Sequence, residues 1–182
     1  MSIALTSKNS QVLIIDIQGR LSEVVVDADS MFSRLIKLIK IAKMLGVPTV
    51  HVEHCVEKLG KTSAKIMPLL HPENCIQKNT FSVTNAPEFE RFFQIPKYKF
   101  ILVCGIEAHV CVYQSVREML SLGFNVVVIE DCMSSRNNND KRLAIAQMRQ
   151  LGAIVMSTEM VCFDWVESPS NPHFSEFMTI IK

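Results

Sequence analysis

The sequence predicts an α/β protein: a three-layer α/β/α arrangement with a Rossmann-like, mostly parallel sheet and helices on both faces. Three observations predict this class. Strand-sized runs such as residues 11–17 and 99–105 are apolar almost throughout, as in strands buried on both faces. Amphipathic helical stretches separate these runs, and short glycine-bearing segments join them. With 182 residues, 48% of them hydrophobic, the chain fits a single domain over residues 1–182.

The first half of the chain contains two strong strands and one long helix. Residues 11–17 form the first strand. A helix capped by Asp29 or Ser30 follows, and its apolar residues recur at helical spacing until a glycine and a proline end it. Residues 48–54 form the second strand. Residues 55–74 have no clean period, so we predict a long loop with a short helical turn.

The second half repeats the alternation of strand and helix. A short strand lies near residues 75–79, and a capped helical turn follows, with Asn85 ahead of a proline. The remaining elements are a strand at 99–105, a helix at about 108–122, a strand at 124–131, a helix at 140–151 and a strand at 153–157. An amphipathic stripe in residues 174–181 favours a contact with the core or with another subunit.

Charge and cysteine content narrow the class of function. Nineteen basic and eighteen acidic residues give a net charge of +1, without a basic block that would bind nucleic acid or acidic lipid. We therefore expect a small-molecule substrate, no nucleic acid and no membrane. The N-terminus lacks a basic segment followed by a long apolar run, so we expect a cytoplasmic protein. The six cysteines include no CxxC pair; most are expected to be buried thiols, and one a nucleophile.

Cys111 is the candidate nucleophile because of its place in the segment GIEAHVCV, residues 105–112. A cysteine in the first turn of a helix lies among free backbone N–H groups and the positive end of the helix dipole, which favour the thiolate. The same N–H groups can stabilise the oxyanion of a tetrahedral intermediate. The alternative is a helical cysteine that faces the core. Asp16, at the end of the first strand, lies where α/β sheets bind ligands.

Three segments together resemble the isochorismatase-like cysteine hydrolases, and the resemblance spans nearly the whole chain. The first is LIIDIQ, which carries Asp16 and Gln18; the second is KNTFS, which begins at Lys78; the third is the strand-to-helix joint with Cys111. The segment EHCVEKLGKT is similar to the branch of isochorismatase domain-containing proteins.

The resemblance implies a catalytic triad of Asp16, Lys78 and Cys111. It implies a hydrolase acting on a non-peptide C–N bond, as nicotinamidase-like amidohydrolases do, that cleaves a small amide or related carbonyl through a thioester at Cys111. In that chemistry Asp16 takes the thiol proton and returns it to the leaving amine, while the Lys78 ammonium stabilises both anions. No cofactor is implied, and the family's habit of assembly predicts a homo-oligomer.

The resemblance also assigns roles around the triad. A non-proline cis peptide bond is expected between Ile106 and Glu107, aiming the amide groups of the joint at the substrate oxygen. Gln18, Glu53 and Phe81 are the predicted substrate contacts.

Two departures from the family pattern keep alternatives open. Glu107 and Ala108 stand where alanine and threonine are usual, and a carboxylate beside the cysteine would raise the thiol pKa and repel an anionic substrate. A catalytically weak or inactive member that binds a metabolite or a protein is therefore the alternative function. Arg136 is a candidate to neutralise Glu107.

A metal site is the second open question. Nicotinamidase-type relatives hold a metal with an Asp-x-His pair, and the corresponding stretch here is HVEHC. On a strand His51 and Glu53 share one face and His54 lies on the other, so the three do not form a ligand set while the strand continues. We therefore predict no metal ligand.

Overall fold

The computed structural model describes residues 4–94 and 99–182, and six strands form its sheet. They are β1 (Ser10–Ile15), β2 (Thr49–His54), β3 (Cys75–Lys78), β4 (Phe100–Gly105), β5 (Val126–Met133) and β6 (Ile154–Met156). The α-helices are α1 (Leu21–Val24), α2 (Ala28–Met44), α3 (Val56–Leu59), α4 (Phe89–Phe92), α5 (Tyr113–Ser121), α6 (Asn138–Gln150), α7 (Thr158–Val166) and α8 (Phe174–Ile181). None of the helices in these ranges has both the length and the apolar character needed to cross a bilayer.

The sheet has the order β3-β2-β1-β4-β5-β6, and every pairing between neighbouring strands is parallel. Parallel neighbours need crossover connections, and helices supply them on both faces. One face packs against α2, α7 and α8, and the other against α4, α5 and α6. The predicted three-layer α/β/α class is confirmed.

Apolar burial on both faces explains why the central strands are apolar throughout. Val12 and Ile14 belong to the cluster with α2, whereas Leu13 and Ile15 belong to the cluster with α5. The predicted stripe in α8 is part of the first cluster, where Phe177 is fully buried.

Three details of the sequence prediction were wrong. Helix α2 begins after Asp27, earlier than a cap at Asp29 or Ser30 would allow. Asn85 does not cap α4; it ends a 3₁₀ turn that Ser82 caps by accepting a hydrogen bond from the Thr84 amide at 3.3 Å. Helix α7 was not predicted.

The order of the strands places a crevice at the carboxyl ends of β1 and β4, because the chain leaves these neighbours in opposite directions. Gly105 ends β4 directly against β1. Its φ is +133°, and a Cβ there would lie 2.1 Å from the carbonyl oxygen of Ile15. Only glycine allows this close approach, which brings the joint after β4 next to the end of β1.

Candidate active site

The joint between β4 and α5 carries the candidate nucleophile. The peptide bond between Ile106 and Glu107 is cis, at the position expected from the sequence. A π-helical turn, Ala108–Val112, follows and leads into α5. The Ile106 amide donates to the carbonyl oxygen of Ile15 at 2.9 Å, and the Ala108 amide donates to that of Ser134 at 2.9 Å. These bonds hold the joint between the ends of β1 and β5.

Asp16, Lys78 and Cys111 converge at this joint. The Lys78 ammonium donates to Asp16 Oδ2 at 2.7 Å, and the exposed fractions of their side chains are 0% and 2%. The Cys111 thiol is close enough to both groups to interact with each, and the residue is 6% exposed. Asp16 Oδ1 has no hydrogen-bond partner among residues 4–94 and 99–182, so it is available as a proton acceptor. The structure thus brings a carboxylate, an ammonium group and a thiol together.

The ionisation of Cys111 differs from the sequence-based expectation of a ready thiolate. Burial, followed by the negative charge of Asp16, raises the pKa of Cys111 to about 12, and Lys78 opposes this only in part. Desolvation is therefore the largest influence on the charge state of this thiol. The resting thiol is protonated at neutral pH, so a base must remove its proton during the reaction.

Asp16 has the electrostatics of such a base. Burial raises the pKa of Asp16 above its ordinary value of 3.8, although the Lys78 ammonium opposes the shift. Its backbone lies in the left-handed region, with φ of +54°. Its amide donates to the carbonyl oxygen of Val52 at 3.2 Å, which ties the turn to β2. A carboxylate with a raised pKa is better matched to proton transfer near neutral pH than an ordinary aspartate.

Glu107 is neutralised by Arg136, as the sequence analysis anticipated. Arg136 Nε and its second guanidinium nitrogen donate to the two carboxylate oxygens of Glu107 at 2.9 and 3.2 Å, and the Arg136 amide donates at 3.1 Å. Burial of Glu107 raises its pKa, but the bonds to Arg136 outweigh burial and lower it below 4.5. Glu107 is therefore an ionised and paired carboxylate rather than a free charge facing the sulfur.

The three predicted substrate contacts lie in different surroundings. Gln18 is fully buried; its side chain donates to the carbonyl oxygen of His54 at 3.2 Å and accepts from the His54 amide at 2.6 Å. Glu53 Oε1 accepts from the Thr62 amide at 2.7 Å and from its hydroxyl at 2.9 Å. Both side chains therefore hold the segment after β2 in place by hydrogen bonds. This favours a role in positioning that segment rather than in contacting substrate. Phe81 is 51% exposed and is the accessible member of the three.

His54, which the sequence suggested only as a metal ligand, lies in the site. It pairs in register with Lys78, and its charge state responds to both Lys78 and Asp16. Its ring lies 5.7 Å from that of Phe81, centroid to centroid. Burial, with help from Lys78, lowers the pKa of His54. The sequence alone does not show that His54 neighbours Lys78, because this depends on the register between β2 and β3. His109 instead contacts the Ser135 hydroxyl at 2.9 Å.

A cavity of about 470 Å³ lies beside the site. Lys78 is the triad member in its lining, which also includes Glu53, Glu57, Gln77, Asn79 and Glu88. Asp16 and Cys111 are not among the residues that line this cavity. The volume suits a small molecule rather than a polymer.

Residues 10–160 match the isochorismatase domain family. The chain belongs to this family. It is 30% identical over 176 residues to human isochorismatase domain-containing protein 2, covering 96% of this chain and 83% of the relative.

Two solved structures are also similar. MAR1 ribonuclease from Caenorhabditis elegans is 29% identical, with a TM-score of 0.90 over 98% of this chain and 92% of that chain. YcaC from Escherichia coli, an octameric hydrolase, has a TM-score of 0.88 at 18% identity, over 100% of this chain and 96% of that chain. The domain match supports a hydrolase of the isochorismatase-like class, and the similarity to YcaC shows the shared fold.

Proposed function

We propose that this protein hydrolyses the C–N bond of a small amide, or cleaves a related carbonyl compound, through a thioester on Cys111. The observation that carries the proposal is the convergence of Cys111 with the buried Asp16–Lys78 ion pair. A buried charged pair beside a thiol is costly to maintain and is typical of a catalytic site.

The first half of the reaction forms the thioester. As the Cys111 sulfur attacks the carbonyl carbon, Asp16 accepts the thiol proton, and the carbonyl π electrons move to oxygen. When the tetrahedral intermediate collapses, the C–N bond breaks and Asp16 gives the proton to the leaving nitrogen. Amine or ammonia departs, and the acyl group remains on sulfur.

The second half regenerates the thiol. Asp16 takes a proton from a water molecule, whose oxygen attacks the thioester carbonyl. The C–S bond then breaks, the proton returns to the sulfur, and the carboxylic acid product leaves. The Lys78 ammonium stabilises Asp16 when that carboxylate is ionised. We assign the oxyanion to the amides of the joint that follows the Ile106–Glu107 bond.

The alternative of an inactive binding module had two grounds, the carboxylate of Glu107 and the absence of threonine at Ala108. The pairing of Glu107 with Arg136 weakens the first ground, and the second remains. RNA cleavage, the activity named for the Caenorhabditis elegans relative, is disfavoured for this chain by its net charge of +1 and its buried triad.

The test is a screen of short aliphatic and aromatic primary amides, read by ammonia release, with the wild-type chain and Cys111→Ala. Acid quenching of the reaction, followed by intact and peptide mass spectrometry, locates any acyl adduct. The matched control is Cys162→Ala, because Cys162 is also a buried helical thiol.

We expect Cys111→Ala to lose both ammonia release and the adduct, and Cys162→Ala to keep them. An adduct on another cysteine, or equal turnover by Cys111→Ala, would contradict the mechanism. Binding of an amide without turnover by the wild-type chain would favour the binding module. Cleavage of single-stranded RNA that depends on Cys111 would favour the ribonuclease instead.

We also infer that the chain forms homo-oligomers. The Escherichia coli relative is octameric, and Met160 and Phe163 on α7 are large apolar residues that are 53% and 46% exposed. Light scattering after size-exclusion chromatography measures the assembly, and a monomeric mass at assay concentration would contradict the inference.

A further inference from the structure

A second cluster of chemically active side chains lies on β2 and β3, on the face opposite to that of Lys78. His51, Glu53 and Cys75 each offer one ligand atom, and these atoms lie within 4.8 Å of one another. His51 and Cys75 are partners in the strand register, and Glu53 follows His51 on the same face of β2. Because side chains alternate along a strand, Cys75 points away from the face that carries Lys78.

The His51 side chain is the unusual member of the cluster. It is 1% exposed, and neither ring nitrogen has a hydrogen-bond partner among the described residues. Buried polar atoms are normally paired, so two unpaired nitrogens on one ring need an explanation. A neutral imidazole nitrogen that accepts no hydrogen bond can offer its lone pair to a cation.

The surroundings of Glu53 also suit a ligand. Thr62 donates to Oε1 twice, from its amide at 2.7 Å and from its hydroxyl at 2.9 Å. These bonds to Oε1 fix the carboxylate in one orientation, and neither of them engages Oε2. Outer hydrogen bonds of this kind orient the ligands of metal sites.

We propose that His51, Glu53 and Cys75 bind a zinc ion. Imidazole nitrogen, carboxylate oxygen and thiolate sulfur are the ligands that Zn²⁺ takes, and three of them leave a fourth tetrahedral position for water. One thiolate and one carboxylate balance the charge of a divalent cation. The proton that the Cys75 thiol now shares with Glu53 leaves to solvent when the sulfur–metal bond forms.

This ligand set differs from the one that the sequence had raised. His54 lies on the other face of β2 with Lys78, and Cys75 takes its place from the neighbouring strand. The site therefore shares no residue with the triad. Its expected role is to stabilise the pairing of the edge strand β3 with β2. The proposal does not depend on the proposed hydrolase function.

Cobalt is the probe, because a thiolate bound to Co²⁺ gives a sulfur-to-metal charge-transfer band. The full-length protein is stripped with a chelator, titrated with Co²⁺ and then with Zn²⁺, and melted with and without Zn²⁺. The variants are Cys75→Ser, His51→Gln and Thr62→Val. Cys55→Ser is the matched control, since Cys55 is another half-buried free thiol, and Cys111→Ser controls for the triad.

We expect one equivalent of Co²⁺ to give the band in the wild type, Cys55→Ser and Cys111→Ser, and Zn²⁺ to displace it. Cys75→Ser should lose the band and His51→Gln should bind more weakly. Thr62→Val should weaken binding by roughly 10- to 100-fold, as loss of an outer hydrogen bond does. Zn²⁺ should raise the melting temperature of the wild type but not of Cys75→Ser.

Three results would overturn the proposal. The first is no stoichiometric uptake by the stripped wild-type protein. The second is a band that persists in Cys75→Ser. The third is a band lost in Cys111→Ser, which would place the ion at the triad. The melting data show whether Cys75→Ser is folded without metal, so a lost band cannot be mistaken for an unfolded protein.

Discussion

Two ion pairs involve the ends of the strands around the joint that carries Cys111, and they differ mainly in burial. In the Asp16–Lys78 pair the side chains are 2% and 0% exposed, whereas in the Glu107–Arg136 pair they are 9% and 64% exposed. Burial raises the pKa of Asp16 despite its lysine, and Arg136 lowers the pKa of Glu107 despite its partial burial. The same kind of pairing therefore accompanies a raised pKa in one carboxylate and a lowered pKa in the other.

The largest expected effect is on catalysis by Asp16. Asp16→Asn keeps the shape of the side chain but removes the proton acceptor, so kcat/KM for an amide found in the screen should fall by about 10²- to 10⁴-fold. Glu107→Gln, the matched change in the other pair, should lower it by less than about tenfold. The measurement is ammonia release under subsaturating substrate. Equal losses of kcat/KM in the two variants would mean that Asp16 is no more important for catalysis than Glu107.

The next effect is on stability. Lys78→Met leaves the Asp16 carboxylate buried without its partner, and breaking a buried pair costs about 3–5 kcal/mol of the free energy of unfolding. Arg136→Met removes a side chain that is mostly exposed to water. The free energy of unfolding should therefore fall by only a small fraction of the loss in Lys78→Met. Urea unfolding at neutral pH measures both. A Lys78→Met variant as stable as Arg136→Met would mean that Asp16 and Lys78 are not both charged in the folded protein.

The fold and the proximity of Asp16 to Cys111 could be predicted because both follow from local signals, whereas Lys78 was predicted only from the resemblance to the isochorismatase-like cysteine hydrolases. Apolar runs identified β1, β4 and β5, and the carboxyl ends of parallel strands meet at one edge of a sheet. The positions of Asp16 and Cys111 at such ends therefore implied proximity. Helix α7 gave no such signal, because Met160 and Phe163 are apolar yet exposed, which weakens the contrast between its faces.

The ionisation of the site could not be predicted from the sequence. The first turn of a helix favours a thiolate, but the depth of Cys111 depends on how two layers pack around it. The grouping of Cys75 with His51 likewise requires the register between β2 and β3, which neither strand specifies alone. Packing and register are properties of the assembled sheet.

A third prediction concerns which carboxylate controls the sulfur. Burial, then Asp16, raise the pKa of Cys111 to about 12, and Glu107 is not among the causes. The rate of Cys111 alkylation by iodoacetamide should therefore rise through pH 10 without a plateau in the wild type. Asp16→Asn should lower the thiol pKa, by about one unit or more, and speed alkylation at pH 8 by roughly tenfold. Glu107→Gln should leave the profile unchanged.

Peptide mass spectrometry separates Cys111 from the other cysteines, and the buried Cys104 serves as an internal control because burial raises its pKa even further. A plateau near pH 7 in the wild type would mean a thiolate formed before substrate binds. In that case Asp16 would stabilise charge rather than transfer a proton, and the contrast between the two pairs would concern stability alone.

The smallest effect is the dependence of stability on pH, and its sign differs between the pairs. The pKa of Glu107 is lowered from 4.5 in the folded state, so its contribution is present above pH 4.5 and is lost as pH falls through the folded pKa. The pKa of Asp16 is raised from 3.8, so its contribution is present below pH 3.8 and is lost as pH rises through the folded pKa. Melting temperatures from pH 3 to 7 test this. As pH falls, the melting temperature of the wild type should decrease relative to that of Glu107→Gln. Over the same range it should increase relative to that of Asp16→Asn. Because solvent screens Arg136, the first change should be slight. If both melting-temperature differences change in the same direction with pH, burial does not shift the pKa values of Asp16 and Glu107 in opposite directions.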